Sequence, residues 1–331
     1  MIKSSAPTRI DLAGGTLDIW PLYLHFGSPP TLNAAIDLYA TVELFPRKDR
    51  SILVESEDLG LRAGFSSIDT LPERHPLELI FRTLRYYRPE RGLEIRTRCR
   101  APAGSGIGGS SALNIALHGA LNAWTEKKYR KDHILEVAKN IETQVITVPA
   151  GWQDYFPALY GGTLSVQPGL EGVRFEKLPI DLAELTRRFV LCYTGKPRSS
   201  GINNWKIMKK VLEKDRDTIS RLEKIKRTAS AMQNLLSKGR IDGIAPLFAE
   251  EWKVRKALAP GISTPKMDRL ISAAMKQGAL AAKVCGAGGG GCVAFFVKQG
   301  KKDQVVKILK SKGGEVLVFR FVQRGLKVRK F

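Results

Sequence analysis

The stretch Ala101-Pro102-Ala103-Gly104-Ser105-Gly106-Ile107-Gly108-Gly109-Ser110-Ser111 constrains this chain more than any other. Before it, Leu93–Cys99 alternates apolar and polar residues, the period of a strand. After it, residues 112–121 read as a buried helix. Strand, glycine loop and helix in that order make an anion site. Glycines let the backbone approach oxygen atoms closely, and the first helical turn offers unpaired N–H groups at the positive end of the dipole. Ser110 and Ser111 add hydroxyls where a phosphate or its metal would sit. A glycine-rich turn before a helix is the simpler alternative, and the stretch alone leaves both open. Two phosphate motifs are excluded. No Lys precedes the serines, as a P-loop requires. The spacing also lacks the third glycine of the dinucleotide fingerprint, and no acidic residue ends a following strand.

Further stretches carry candidate chemistry. Residues 6–18 form a short strand running into Gly14-Gly15, which delivers Asp18. Arg9 and Asp18 flank that turn and can supply a fixed cation and a carboxylate that accepts from hydroxyls, although a plain hairpin also fits. Residues 31–44 read as one long strand or a strand pair, and residues 77–87 as a helix. Tyr86, Tyr87 and His75 are assigned to packing or surface. Residues 133–142 have helical periodicity and end at Glu142; a turn with Pro149 and Gly151 then leads to Gly151-Trp152-Gln153-Asp154-Tyr155. An acid ending a helix is ordinarily solvated. Asp154, however, lies among apolar and aromatic residues, where a carboxylate needs a partner or a task.

Residues 189–195 read as a buried strand opening a second domain, followed by Lys196-Pro197-Arg198-Ser199-Ser200. Lys196 and Arg198 are either a plain basic loop or a hold for a phosphorylated substrate. Residues 205–236 and 241–258 are helical with basic outer faces. Residues 281–296 read as strand, glycine turn, strand; residues 301–311 as an amphipathic helix; residues 315–321 and 326–328 as terminal strands.

Composition narrows the class. At 331 residues, 43% hydrophobic and 26% charged, the chain suits two domains with a large core. The net charge of +22 suggests an anionic partner. The basic residues are spread along the chain, with denser runs at 206–210, 224–227 and 327–330, and no aromatic-interleaved arm or zinc-finger spacing exists. Anionic small substrates are therefore favoured over nucleic acid. Cys99, Cys192, Cys285 and Cys292 are scattered without a CxxC pair, so neither a zinc site nor a disulfide framework is expected. The first residues lack an apolar leader and no run is long enough to span a bilayer. A cytoplasmic protein without a membrane partner is the expectation, with monomer and homo-oligomer both open.

Pro102-x-Gly104-x-Gly106-Ile107-Gly108 followed by Ser110-Ser111 resembles the second motif of the GHMP small-molecule kinases. Pro7-x-Arg9, then Gly14-Gly15, then Asp18 resembles their first motif, and Lys283-x-x-Gly286-x-Gly288-Gly289-Gly290-Gly291-Cys292 their third. Residues 9–15, the Gly151-Trp152-Gln153-Asp154 segment and Tyr193-Thr194-Gly195-Lys196-x-Arg198-Ser199-Ser200 look most like the sugar-kinase branch. That branch includes D-glycero-D-manno-heptose 7-phosphate kinases and the kinase domain of fucokinases. The chain departs from the branch's usual Gly-Gly-Gly-Thr-Asp with Gly14-Gly15-Thr16-Leu17-Asp18.

The resemblance implies a two-domain α+β fold. Residues 1–185 would be like ribosomal protein S5 domain 2, and residues 186–331 ferredoxin-like. It implies ATP phosphates on Pro102, Gly104, Ser105, Gly106, Ile107, Gly108, Gly109, Ser110 and Ser111, with Ser110 and Glu142 holding Mg2+. Asp154 would orient or deprotonate the substrate hydroxyl, and Arg9 would stabilise Asp154 and the transferred group. Asp18 would accept from sugar hydroxyls, with Gly14, Gly15, Gln153, Lys196, Arg198, Gly288 and Gly289 around the sugar. The implied activity is ATP-dependent phosphorylation of a sugar or sugar phosphate, with the anomeric hydroxyl of a heptose 7-phosphate as the best fit. Another GHMP activity, such as a mevalonate-type, galactokinase-like or fucokinase-like one, and a non-catalytic sugar- and ATP-binding regulator are the alternatives.

Overall fold

A computed structural model describes residues 1–197 and 202–331. The strands are β1 (Ile2–Ala13), β2 (Thr31–Pro46), β3 (Ile52–Ser56), β4 (Leu61–Phe65), β5 (Leu93–Cys99), β6 (Thr163–Gly169), β7 (Gly172–Lys177), β8 (Phe189–Tyr193), β9 (Ala279–Val284), β10 (Cys292–Val297), β11 (Glu315–Leu317) and β12 (Lys327–Lys330). The helices are α1 (Leu22–His25), α2 (Glu78–Tyr87), α3 (Gly109–Trp124), α4 (Lys131–Ile146), α5 (Tyr155–Tyr160), α6 (Leu182–Arg188), α7 (Ile202–Leu212), α8 (Arg216–Leu236), α9 (Ile244–Lys256), α10 (Pro265–Met275) and α11 (Lys302–Ser311).

The first sheet runs β12-β1-β2-β5-β3-β4, and β6 and β7 branch from β2. The branching follows from the length of β2. Its first residues pair with β6 and its second half pairs with β5, both antiparallel. Burial changes along the same strand. Thr31–Ile36 is buried on both faces, whereas beyond Leu38 buried and half-exposed residues alternate. β1 shows the same change, with alternation at its start and continuous burial from Ala6 onward. A strand covered on both faces reads as a continuous apolar run, and a strand with one wet face alternates. The second covering layer is α8, which packs on β1 and β2 from the other domain. On the opposite face α3 packs against β1 and β2, flanked by α2, α4 and α5. Most of α3 is buried, from Ser111 to Leu121 apart from Leu113, so its sequence is apolar nearly all round.

The second sheet runs β11-β8-β10-β9, all antiparallel. Its chain order is strand, helices α7–α10, strand, strand, helix α11, strand, which is the ferredoxin-like arrangement. β10 is one of the two inner strands, and every residue from Cys292 to Val297 is buried.

The chain ends differ from expectation. A division at 185/186 falls inside α6. Strand structure predicted over 315–321 stops at Leu317; Phe319 and Phe321 then turn into the core, and Phe321 bridges Ile36 of β2. β12 leaves the second unit altogether and pairs with β1. Among the described residues no helix is long and apolar enough to cross a membrane.

Candidate active site

A cavity of about 370 Å³ opens between the glycine loop, α2, the end of α4 and the segment leading into α5. The α2 and α4 side is apolar, with Leu79, Ile80, Val145 and Ile146. The other side is polar, with Arg9, Gln153, Asp154 and Asn204, and the hairpin turn at Gly286 and Ala287 completes it.

The loop between β5 and α3 is held open by glycine geometry. Gly104, Gly106 and Gly108 have φ of 65°, 79° and 77°, the left-handed region that glycine enters without steric cost. Gly108 caps α3, so the free N–H groups of the first turn lie at the cavity. The loop is tied down from both domains. Arg9 donates from its backbone N to Ile107 O at 2.9 Å and from Nη1 to Gly106 O at 2.8 Å. From β10, the Cys292 N–H donates to Ser105 O at 2.7 Å.

Asp154 sits where this loop, β1 and α5 meet. Its Oδ1 accepts from Arg9 Nε at 2.7 Å and also meets Arg9 Nη2. A Cβ at Gly108 would lie 3.4 Å from Asp154 Cγ, so the loop backbone runs directly past the carboxyl. Arg9 is buried, while the Asp154 side chain keeps 25% of its exposure, toward the cavity. Burial works against the Arg9 charge, but Asp154 and Asp11 outweigh it and raise the guanidinium further above its ordinary value.

Glu142, on α4, is gripped by three hydroxyls. Ser110 Oγ donates to Oε1 at 2.6 Å, and Ser111 Oγ and Tyr155 OH donate to Oε2 at 2.8 and 2.7 Å. Burial pushes this carboxyl up, and the three hydrogen bonds offset part of that. Ser110 is the exposed serine of the pair and Ser111 the buried one. The carboxylate and Ser110 hydroxyl therefore converge at the cavity wall as hard oxygen donors.

Behind the site runs a chain of buried charges of alternating sign. Asp11 pairs with Arg9 at 3.8 Å and with Lys283 Nζ at 2.7 Å. Lys283 reaches Glu251 Oε2 at 2.8 Å, and Arg255 holds Glu251 Oε1 at 2.8 Å. Burial alone would raise Asp11, but Lys283, Arg9 and Arg255 together hold its carboxyl below the usual range. Arg255 also donates to Gly15 O at 2.6 Å and Thr16 Oγ at 3.1 Å. Asp11 and Arg9 belong to the first domain, and Lys283, Glu251 and Arg255 to the second, so the chain crosses between them.

The sequence-predicted residues fall into three groups. Arg9, Pro102, Gly104, Ser105, Gly106, Gly108, Gly109, Ser110, Ser111, Glu142, Gln153 and Asp154 all line the cavity. A second group lies behind it. Ile107 is fully buried and joins the core with Ile10 and Ala101, so it supports the loop through its carbonyl and does not face a nucleotide. Asp18, expected to accept from sugar hydroxyls, has no exposed surface. Its Oδ2 accepts from Trp152 N at 2.6 Å and Gln153 N at 2.8 Å, making it a backbone anchor for the segment that carries Asp154. Gly151 runs so close that any Cβ there would collide with the Asp18 carboxylate. Burial raises Asp18 to about 6.

Gly14 packs against the backbone of Pro30 and Thr31, and Gly15 lies against Gln153 and Arg255, both off the cavity wall. Gly288 packs on Ile262, and Gly289 lies beside the Gly261 carbonyl; Gly286 and Ala287 of the same hairpin reach the cavity in their place. Lys196 is exposed, and its carbonyl accepts from Gly291 N of the hairpin. Arg198 lies outside the described residues.

Tyr155, Asn204, Asp11, Glu251, Lys283 and Arg255 are the polar participants that sequence reading missed. Asp11 and Lys283 stand inside the first and third motifs, and that was the available signal. Glu251 and Arg255 are four residues apart on α9, a spacing shared by any solvated helical ion pair.

Comparison with known proteins agrees with this geometry. Residues 77–162 match the N-terminal domain of the GHMP kinases, and residues 229–315 match their C-terminal domain. The chain is 28% identical to D-glycero-alpha-D-manno-heptose 7-phosphate kinase of Campylobacter jejuni, covering 98% of both chains. It is 27% identical to mevalonate kinase of Pyrococcus abyssi, covering 99% of this chain and 98% of the other. A solved D-glycero-D-manno-heptose 1-phosphate kinase from Bacteriodes thetaiotaomicron superposes with a TM-score of 0.80 at 26% identity, covering 100% of this chain and 99% of that one. Two matched domains in order, three glycine motifs and one cavity where they meet place this chain in the GHMP kinases.

Proposed function

We propose that this protein is an ATP-dependent kinase that phosphorylates a hydroxyl of a sugar or sugar phosphate, with the anomeric hydroxyl of a heptose 7-phosphate as the best fit. The observation that carries the reading is the Asp154–Arg9 pair at the loop that caps α3, with the Asp154 carboxyl partly open to the cavity. Phosphoryl transfer needs an aligned nucleophile and compensation of charge on the transferred group. The free N–H groups at the start of α3 receive the ATP phosphates. Asp154 accepts the proton of the substrate hydroxyl, or orients it, and Arg9 holds the Asp154 carboxyl in place and adds positive charge beside the transferred group.

Magnesium fits the donors present. One carboxylate and one hydroxyl, Glu142 and Ser110, leave room for the phosphate oxygens and waters that complete its shell. When bound, the ion neutralises charge on the phosphates. Glu142 would turn from its serine hydroxyls toward the ion, which favours its ionised form.

One feature favours a sugar over mevalonate. The cavity offers the amides of Gln153 and Asn204 together with Asp154, groups suited to several hydroxyls. Lys196, on the exposed loop after β8, is the proposed contact for a phosphate on the sugar.

The test is an ADP-release assay with ATP and magnesium against free and phosphorylated aldoses, with mevalonate as contrast. Turnover on a heptose or hexose phosphate is expected. Turnover on mevalonate alone would remove the sugar assignment and keep the family.

A further inference from the structure

The hydrogen bonds behind the Gly15–Thr16 turn have a direction, and it ends in the cavity. Arg255 can only donate. Its Nε and Nη2 donate to Glu251 Oε1, its Nη2 also to Gly15 O, and its Nη1 to Thr16 Oγ at 3.1 Å. The Thr16 hydroxyl accepts from Arg255, so its own proton goes to the other side, to Asn204 Oδ1 at 3.0 Å. The Asn204 amide oxygen takes that proton, which sets the way the amide faces. Its oxygen is turned to Thr16, and its NH2 group, a donor of two hydrogen bonds, is turned away. Among the described residues that NH2 group has no partner, and Asn204 lines the same cavity as Gln153 and Asp154. Gln153 carries a second unsatisfied group, a buried Oε1 without a partner among the described residues.

The turn itself is unusual. Thr16 is β-branched yet has φ of 75°, a left-handed conformation that branched residues rarely adopt. The strained conformation places the hydroxyl between Arg255 and Asn204, and its two hydrogen bonds offset the strain. The neighbouring Asn203 is also fixed, donating to Ala287 O at 3.1 Å. The start of α7 is thereby pinned to the turn of the first motif and to the hairpin of the third.

We propose that Asn204 is a substrate-binding residue that decides which alcohol is accepted, its amide N–H donating to an oxygen of a polyhydroxylated substrate next to the hydroxyl facing Asp154. Thr16, Arg255 and Glu251 are positioning residues that hold the amide in that orientation. A substrate with no oxygen at this place leaves a desolvated N–H unpaired, which is how a polar site rejects an otherwise similar molecule. The proposal rests on the sugar-kinase reading for the class of substrate. It adds the residue that reads it.

The experiment uses the whole protein with ATP, magnesium and D-glycero-D-manno-heptose 7-phosphate as probe. Asn204→Asp keeps the acceptor for Thr16 and removes both donors. Asn204→Ala removes the donors and the acceptor together, without adding charge near Asp154. Thr16→Val keeps the branched shape and removes the hydroxyl that orients the amide. Both Asn204 variants are expected to raise the KM for the heptose phosphate about ten- to a hundred-fold, with the KM for ATP within about two-fold of the parent. Thr16→Val is expected to raise the same KM about three- to ten-fold, with wild-type response to ATP. A heptose phosphate KM and kcat unchanged in both Asn204 variants overturns the proposal. Failure of the parent protein on the heptose phosphate, with turnover of mevalonate, overturns the sugar reading instead. The variants are then compared on mevalonate, where an unchanged KM overturns the Asn204 assignment as well.

Discussion

Asp154 and Asp18 are acids held by the same short stretch of chain and put to different uses. Arg9 grips the side chain of Asp154, and Asp18 grips the peptide N–H groups of Trp152 and Gln153 just before it. Burial, helped by the neighbouring Asp154 charge, pushes the Asp18 carboxyl up to about 6, above its ordinary value near 3.8. The sign of the consequence is fixed. The folded state binds this proton more tightly than the unfolded state, so ionised Asp18 costs stability above about pH 6, and the cost fades as the pH falls from there toward 4. The melting temperature of the parent should therefore gain on that of Asp18→Asn between pH 8 and pH 5. A difference that stays constant over that interval would show that Asp18 does not titrate there. Arg9, Asp154 and Ser110 were legible in the sequence because each stands in a motif whose chemistry demands that residue type, and Glu142 only through the family resemblance. Asp18 was legible as important but not in its role, since spacing cannot tell which way a buried carboxylate faces. Asn204 carried no signal at all, because its orientation depends on Arg255, a residue of another helix.

At the scale of elements, the glycine loop works because two other elements press on it. A Cβ at Gly291, whose φ is 85°, would lie 2.5 Å from Ser105 O, so the third-motif hairpin meets the loop backbone to backbone. Gly291→Ala should cost about 1–3 kcal/mol from overpacking and move the loop. Calorimetry is expected to find weaker ATP binding in that variant, with sugar binding less affected; equal ATP affinity would mean the hairpin does not set the loop. Strands β1, β2, β5, β8 and β10 and helices α3 and α4 were readable from their periodicity. α5 was not, because Pro157 and the flanking Gly161-Gly162 resemble a loop, although Pro157 falls in the first turns where its missing N–H matters least. β12 was readable as a terminal strand but not its partner β1, since a short basic strand gives no sign of whose edge it will cover.

Across the whole molecule, the alternating charges from Asp154 through Arg9, Asp11, Lys283 and Glu251 to Arg255 join the two domains behind the site. Removing one member of a buried ion pair leaves its partner charged and unsolvated, at about 3–5 kcal/mol. Lys283→Met should lose about that much in urea unfolding, because Asp11 and Glu251 would then both lose a partner, and Lys283→Met with Glu251→Gln should recover part of it. A loss under about 1 kcal/mol, the worth of a surface pair, would contradict a structural role for the chain of charges. The central claim, however, is that Asp154 acts on the hydroxyl that receives the phosphoryl group. The most direct measurement is kcat of Asp154→Asn on the sugar phosphate the parent turns over, with ATP affinity and melting temperature followed in parallel. A fall of about 10²–10⁴-fold in kcat with ATP still bound and the fold intact is the predicted result. Parent-like turnover in the folded variant would contradict it.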